Sequence, residues 1–327
     1  MTDESTSTAR RDFLVQALRL GGLSAASVGA GLWFAGRSAR PEESRALVVD
    51  RSLGVAPDPQ LPELVVAQGG EPDRLAQAAL DALGGIGRFI SRGDVVVIKP
   101  NVGWDRAPEQ AANTNPELVA ALVRLCQNAG ARRVVVADVS CNDARSSFDR
   151  SGIAEAARRA GAEVILPEPR RFRDVNLRGD SLGVWPVLEP FLTADKVINV
   201  PIAKHHSLTG VTLGMKNWYG ILGGQRSRLH QRIHESLADL AAFMRPTLTI
   251  MDAYRVLMRN GPTGGSLADV ELRKTLIAST DPVALDAYVA KAFWDIDYQR
   301  LPFLRLAEQR GLGQLEFGNI RSRIVNV

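Results

Sequence analysis

Short runs of aliphatic, often β-branched residues alternate with longer amphipathic segments along most of this chain. The runs are typical of strands buried on both faces of a sheet, and they fall at residues 61–69, 94–101, 132–140, 162–168, 195–206, 248–254, 275–281 and 320–327. Segments with helical spacing lie at 74–90, 115–131, 153–162 and 282–293. Strands alternating with helices of roughly 10–15 residues predict an α/β fold: a mostly parallel sheet flanked by helices, in one or two lobes.

The same pattern predicts three parts: residues 1–39, a linker over 40–60, and the α/β domain over 61–327. Within the domain, residues 167–193 combine prolines with an arginine cluster, which favours a hairpin or a cap over the sheet edge.

The first part resembles a twin-arginine export signal. Arg10 and Arg11 precede a hydrophobic pair, and the segment Leu20–Gly36 is uncharged and rich in small residues. The resemblance implies the twin-arginine translocase as a partner and a periplasmic or other extracytoplasmic location. It also implies a route whose cargo often acquires a cofactor before export. An uncleaved membrane anchor is the alternative, although a span usually needs about 20 apolar residues.

Composition excludes two classes of function. The net charge is only +4, and no basic run interleaves with aromatic residues, so no nucleic-acid partner is expected. The two cysteines, Cys126 and Cys141, are far apart and form no CxxC spacing, so the chain itself carries no iron–sulfur cluster.

Charged or amide side chains follow five of the predicted strands. They are Lys99, Asn101, Asp138, Lys204, His205, His206, Asp252 and Asp281. Because ligands bind beyond the carboxyl ends of parallel strands, a shared site is expected at that edge of the sheet. Asp281 also fits a helix cap, and Asp138 and Asp252 also fit simple turn residues.

All four histidines lie between residues 205 and 234. His206 is followed by a segment, residues 211–222, that predicts a helix carrying Lys216 and Asn217, and the pair Gly223-Gly224 ends it. His230 and His234 have i,i+4 spacing and could chelate a metal on one helix face, or they form an ordinary surface pair, since no HExxH motif accompanies them.

These residues suggest roles in binding an anionic small molecule. Lys99, Lys204 and Lys216 would hold negative charge, and Asn101, Asn217, Gly223 and Gly224 would complete a cofactor-binding surface. His205 or His206, with Lys216 and Lys99, would perform acid–base catalysis. His230, Asp138 and Asp252 are the candidate ligands of a first-row transition metal whose identity the sequence leaves unknown. The alternatives are a non-catalytic binding or maturation protein and a protein that docks a periplasmic redox partner.

Several of these motifs resemble the domain-of-unknown-function family 362. The resemblance covers about residues 60–300 and rests on VVIKPN, on NVPIAKHH followed by TGVTLGMKNWYGILGG and LH, on LTIMDA and on STDPVALDA. Many members of that family carry a ferredoxin-like cysteine module, which is missing here, so electron transfer through a bound cluster is not implied.

A more distant resemblance is to the nickel-dependent lactate racemase family. It rests on a strand ending in Lys and His, a Gly-containing turn, a Lys, a Gly-Gly pair and a later His. It implies that Lys216 anchors a nickel-pincer nucleotide, that His230 ligates nickel and that His206 moves protons. The family's histidine from an earlier loop has no counterpart, since no histidine precedes His205.

Overall fold

The computed structural model describes residues 46–50 and 52–327. The signal at Arg10 and Arg11 and the segment Leu20–Gly36 lie outside the described residues. Leu47–Val327 form one compact unit. Among the described residues, no helix is both long and apolar enough to span a bilayer.

A large mixed sheet forms the centre of this unit. Its strands are β1 (Leu64–Gln68), β2 (Val95–Pro100), β3 (Arg133–Ala137), β4 (Glu163–Ile165), β7 (Lys196–Val200), β8 (Ile202–His206), β9 (Gly210–Thr212), β10 (Leu248–Leu257), β11 (Val270–Ser279) and β12 (Ser322–Asn326). They run in the order β12-β1-β11-β10-β7-β2-β3-β4, with β8 paired to β10 and to β9. A separate hairpin, β5 (Phe172–Asn176) and β6 (Val184–Leu188), confirms the hairpin expected within residues 167–193.

Helices cover both faces of the sheet. They are α1 (Pro72–Ala82), α2 (Pro116–Asn128), α3 (Ala144–Arg150), α4 (Ile153–Arg159), α5 (Pro190–Thr193), α6 (Gly214–Asn217), α7 (Ile233–Phe243), α8 (Pro282–Trp294) and α9 (Pro302–Gln309). One core joins α1, α2 and α4 to the sheet, and a second joins α7, α8 and α9 to it. The predicted α/β class with a mostly parallel sheet is therefore confirmed.

Two strands, β9 and β11, run against the others, and β11 moves a candidate residue away from the site. β11 pairs antiparallel with both β1 and β10, and its last residue, Ser279, lies opposite Leu64 and Thr249 near the starts of those strands. Asp281 follows β11, so it lies at the amino-terminal edge of the parallel strands. There it caps α8, because its Oδ1 accepts hydrogen bonds from the N–H groups of Val283 and Ala284, both at 2.9 Å.

Two predicted elements are divided. The run 195–206 is two strands, because Pro201 lacks an N–H and separates β7 from β8. The segment 211–222 is not one helix: it contains the end of β9, the single turn α6 and a 3₁₀ turn over Trp218–Ile221. Asp252 does not end a strand either, since β10 continues to Leu257.

Candidate functional site

A cavity of about 480 Å³ lies beyond the carboxyl ends of β2, β3 and β8. It brings together most of the expected residues: Lys99, Asn101, Asp138, Lys204, His206, Lys216, Asn217 and His230. Strand ends supply the first five of these, and α6 with the 3₁₀ segment Arg226–Arg232 supplies the others.

Lys99 is the most deeply buried cation of the cavity floor. Its Nζ donates to Asp138 Oδ1 at 2.6 Å, to the Pro100 carbonyl at 2.9 Å and to Asn217 Oδ1 at 3.1 Å. Burial lowers the pKa of Lys99, and the Asp138 carboxylate opposes that effect. Asp138 Oδ2 also accepts the Val102 N–H at 2.6 Å. All three ammonium protons are used, so this ion pair supports the site rather than offering a free charge.

Two asparagines carry this network across the floor. Asn217 Oδ1 accepts from Asn101 Nδ2 at 3.0 Å, and Asn217 Nδ2 donates to Asn199 Oδ1 at 2.8 Å. Asn101 Oδ1 in turn accepts from Lys204 Nζ at 3.0 Å. Both amides are therefore committed to positioning their neighbours.

Lys204 is the second buried cation. Its Nζ donates to the Ala112 carbonyl at 2.5 Å as well as to Asn101, and no carboxylate touches it in the described part of the chain. Burial, with a smaller contribution from Lys216, lowers the pKa of Lys204 to about 7. An anion entering the cavity would restore its charged form.

Lys216, the third lysine of the cavity, differs from Lys99 and Lys204. Its side chain is 8% exposed, and its Nζ lies 4.6 Å from the centre of the Tyr219 ring, a cation–π contact. Across residues 46–50 and 52–327, no acceptor forms a hydrogen bond with it. Burial lowers the pKa of Lys216 to about 8. This ammonium group is aimed into the cavity without a partner.

His206 is held as one neutral tautomer. Its Nδ1 accepts the Leu208 N–H at 3.1 Å, which leaves the proton of the neutral ring on Nε2. Burial and the charges of Lys216 and Lys204 lower the pKa of His206 to about 3. At neutral pH the ring is therefore a hydrogen-bond donor, and it lacks the free nitrogen that the expected base would need.

His205 and His234 lie outside the cavity lining. Strand alternation directs Lys204 and His206 to one face of β8 and His205 to the other, where His205 Nδ1 accepts the Gly261 N–H at 3.2 Å. His234 stacks on Phe303 with ring centres 6.2 Å apart. It is the second residue of α7, whereas His230 belongs to the preceding 3₁₀ segment, so the two do not share a helix face.

The three candidate metal ligands do not converge. Asp252 is buried elsewhere, with its carboxylate accepting the N–H groups of Asn115 at 2.7 Å and Tyr254 at 3.0 Å; burial raises its pKa to about 6. Asp138 is engaged by Lys99, and His230 lies at the exposed rim, edge-on to Tyr219. Within the residues that the structure describes, no three His, Cys, Asp or Glu side chains are grouped to hold a metal.

The expected glycines have other neighbours. Gly223 packs on the Phe172 ring of β5 and Gly224 lies against Pro186 of β6, so neither lines the cavity. Gly220 is the glycine that the site requires: a Cβ there would lie 1.8 Å from Asp138 Oδ1 and 2.7 Å from Lys99 Nζ.

The cavity also contains residues that sequence reasoning missed. They are Trp104, Val139, Cys141, Leu208, Tyr219 and Arg226. Arg226 donates to the carbonyls of Val139 and Ser140, which fixes the wall after β3. Trp104 lies three residues after Asn101, and Cys141 lies three residues after Asp138. This closeness to predicted site residues could have identified both of them. No comparable signal marks Arg226.

Three comparisons with known proteins place this chain among its relatives. The chain is 29% identical over 241 residues to a thylakoid-associated protein of Synechocystis sp., covering 71% of this chain and 73% of that protein. Among solved structures, the lactate racemase apoprotein from Thermoanaerobacterium thermosaccharolyticum is similar with a TM-score of 0.43 and 11% identity; the match covers 73% of this chain and 59% of that one. Residues 96–291, more than half of the chain, match the family profile of the domain of unknown function DUF362. The chain therefore belongs to the DUF362 family.

Proposed function

We propose that this protein binds a small anion in the cavity and moves a proton on it. The observation that carries the proposal is Lys216: a buried ammonium group that faces a cavity and has no hydrogen-bond partner in the described structure. A buried charge without a partner is costly, and a bound anion is the simplest way to offset that cost.

The charge balance of the floor favours an anion. Asp138 neutralises Lys99, which leaves Lys204 and Lys216 without carboxylates of their own. Two ammonium groups beside one cavity suit a carboxylate or a phosphate group. The Nε2–H of His206 provides a further donor on the same floor.

Lys216 is also the best candidate for proton transfer. A lysine whose pKa is about 8 populates both of its protonation states near neutral pH, as a general acid–base group must. His206 would serve beside it as a neutral donor, stabilising negative charge that develops on a ligand oxygen. Lys216 would act as the base in its neutral form, while Lys204 and His206 hold the anion, so the base is a lysine instead of a histidine.

The donor set does not fit a metal held by protein ligands alone. Asp138 is committed to Lys99 and Val102, and Nδ1 of His206 is committed to Leu208. In the described lining this leaves His230 and the Cys141 thiol, fewer than the three side chains that a protein-held metal needs. No step of the proposed mechanism is therefore assigned to a metal.

Anion binding is tested by titrating the full chain with inorganic phosphate and with acetate in a calorimeter. Lys216→Met should abolish measurable binding, and Lys196→Met, which removes a lysine far from the cavity, should not. Unchanged binding by the Lys216 variant would reject the proposal.

Proton transfer is tested separately. The protein is incubated with small carboxylates in D₂O, and loss of the proton signal next to the carboxylate is followed by NMR. Exchange that needs Lys216 supports an enzyme. Binding without any exchange would favour the alternative, a protein that holds its ligand for a partner, because the same cations serve both roles.

We also propose export through the twin-arginine translocase, since Arg10 and Arg11 match the pair that its receptor reads. Replacing both with Lys should retain the protein in the cytoplasm, as measured by cell fractionation. Unchanged delivery across the inner membrane would contradict this proposal.

A further inference from the structure

The cavity has two chemically different sides. Its floor carries Lys204, Lys216 and the donor edge of His206, whereas its wall includes the side chains of Trp104 and Leu208. Leu208 is 63% exposed, among the most exposed large apolar side chains in the described part of the molecule. An apolar group at the mouth of a charged cavity needs a reason.

Neither wall side chain belongs to a hydrophobic core of the described residues. Trp104 and Leu208 belong to none of the hydrophobic cores formed by the described residues, whereas Tyr219 and Val139 on the same cavity do. An isolated exposed leucine alone would carry no meaning. Here it shares one concave lining with a tryptophan that is likewise outside the cores.

Both wall residues are fixed by hydrogen bonds of their backbone. The Trp104 N–H donates to Asn113 Oδ1 at 3.0 Å, and Asn113 Nδ2 donates back to the Trp104 carbonyl at 2.8 Å. The Leu208 N–H is the donor that fixes His206, so the apolar wall and the polar floor are joined at that bond. The spacing between the two sides is therefore built into the fold.

The size of the cavity also suits an organic ligand. A volume of about 480 Å³ lies in the range of pockets that hold organic ligands, roughly 300–1,000 Å³. An inorganic anion on the lysines would leave the wall in contact with water.

We infer that the ligand is an amphipathic organic anion, whose acidic head binds Lys216 and Lys204 and whose apolar body packs on Trp104 and Leu208. This inference rests on the proposed anion site and specifies its ligand class. The head supplies the charge contact and the orientation, and the body adds affinity, because burying each methylene strengthens binding about three- to fourfold.

The test measures the affinity of the full-length protein for acetate, butanoate and hexanoate, with inorganic phosphate and hexan-1-ol as reference ligands. Affinity should rise at each step of the carboxylate series, and hexan-1-ol should bind far more weakly than hexanoate. Trp104→Ala and Leu208→Ala should flatten the rise, and they should weaken the binding of acetate and phosphate far less than the binding of hexanoate. Leu267→Ala removes a leucine that is 60% exposed elsewhere and should behave as the wild type.

Different results would contradict the amphipathic ligand and the anion site. A flat carboxylate series, with phosphate bound equally well, would overturn the amphipathic ligand and leave the anion site standing. Equal binding of hexan-1-ol and hexanoate, unaffected by Lys216→Met, would overturn the proposed function as well. A steep series that both wall variants flatten supports the inference.

Discussion

Two regions of this molecule contain charged side chains away from solvent, and they differ in whether those side chains have hydrogen-bond partners. Around α8 and β10, the carboxylates of Asp252, Asp281 and Asp286 accept hydrogen bonds from backbone N–H groups. Asp286, for example, accepts from Gly214 at 2.8 Å and from Met215 at 2.9 Å. In the cavity, Lys204 is partly satisfied and Lys216 has no acceptor at all among the described residues.

The difference separates structure from function. A buried charge whose partners are all backbone groups holds elements together, as Asp286 joins α8 to the start of α6. A buried charge that ends in a cavity without a partner is the one that a ligand must satisfy. By this criterion Lys216 is the central residue of the site, and Lys99 belongs with the structural group because Asp138 satisfies it.

The largest effect is expected from Lys99→Met. The sequence alone suggests that this variant weakens ligand binding and leaves stability intact. The ion pair with Asp138 reverses that expectation, because the variant leaves a buried carboxylate unpaired. The free energy of unfolding, measured with urea, should fall by about 3–5 kcal/mol.

A second variant tests the reason for that fall. Lys99→Met combined with Asp138→Asn removes both charges and should recover part of the loss. If Lys99→Met alone is as stable as the wild type, Lys99 does not belong to the structural group.

Lys216→Met should act in the opposite direction. The pKa of this lysine is about 8 in the folded protein, against 10.5 for an unperturbed lysine in an unfolded chain, so the folded state gives up protons that the unfolded state keeps. Replacing it should raise the free energy of unfolding by up to about 3 kcal/mol below pH 8. The gain should shrink as the pH rises from 8 to 10.5 and vanish above 10.5, where neither state holds the proton.

Chemical denaturation at pH 7 and pH 10 measures this difference. Lys196→Met is the control and should show no such dependence on pH. A Lys216 variant that is less stable than the wild type at pH 7 would place Lys216 among the structural residues and remove the contrast between the two regions.

Asp286→Asn should have an intermediate cost. Asparagine offers one acceptor oxygen where the carboxylate offers two, so one N–H at the start of α6 loses its partner. Leaving a buried donor unsatisfied costs about 1–3 kcal/mol. Thermal unfolding should reveal that loss, and the affinity for phosphate should change less than in Lys216→Met. A larger change in affinity than in stability would mean that this carboxylate serves the site directly.

The smallest effect is the dependence of anion affinity on pH. Burial lowers the pKa of Lys216 to about 8 and that of Lys204 to about 7, so raising the pH removes the charges that hold the anion. Above pH 8 the affinity for acetate should fall by about tenfold per pH unit for each lysine charge that binding requires, equivalent to about 1.4 kcal/mol per lysine. Calorimetry between pH 6 and pH 10 measures it. An affinity that rises with pH would contradict a site held by lysine charge.

Much of the fold could be predicted because most strands of the sheet are apolar runs that are recognisable in the sequence. The runs ending at Lys99, Asp138 and His206 became neighbouring or nearby strands of one sense, and their polar ends met at one edge as expected. The edge of the sheet at which Asp281 lies could not be predicted. Nothing in the apolar run before it shows that β11 is antiparallel and not parallel. Asp252 was misplaced because β10 continues past it.

The site was harder to predict than the fold. His205 and His206 are adjacent in the sequence, and only the register of β8 decides which of them faces the cavity. The role of His206 follows from one backbone N–H, that of Leu208, which no pattern of residues reveals. The commitment of Lys99 to Asp138 joins residues 39 positions apart and requires the three-dimensional structure.

The pairing of β12 with β1 has a consequence for how the protein is made. The two strands lie side by side, and the contact between Gln68 and Asn326 spans 258 positions of the chain. A ribosome therefore synthesises β1 long before the neighbour that will cover its outer edge. During that interval a buried, aliphatic strand has an unpaired row of backbone groups, which is a template for aggregation. Any chaperone that binds the emerging chain must protect that edge until β12 has been synthesised.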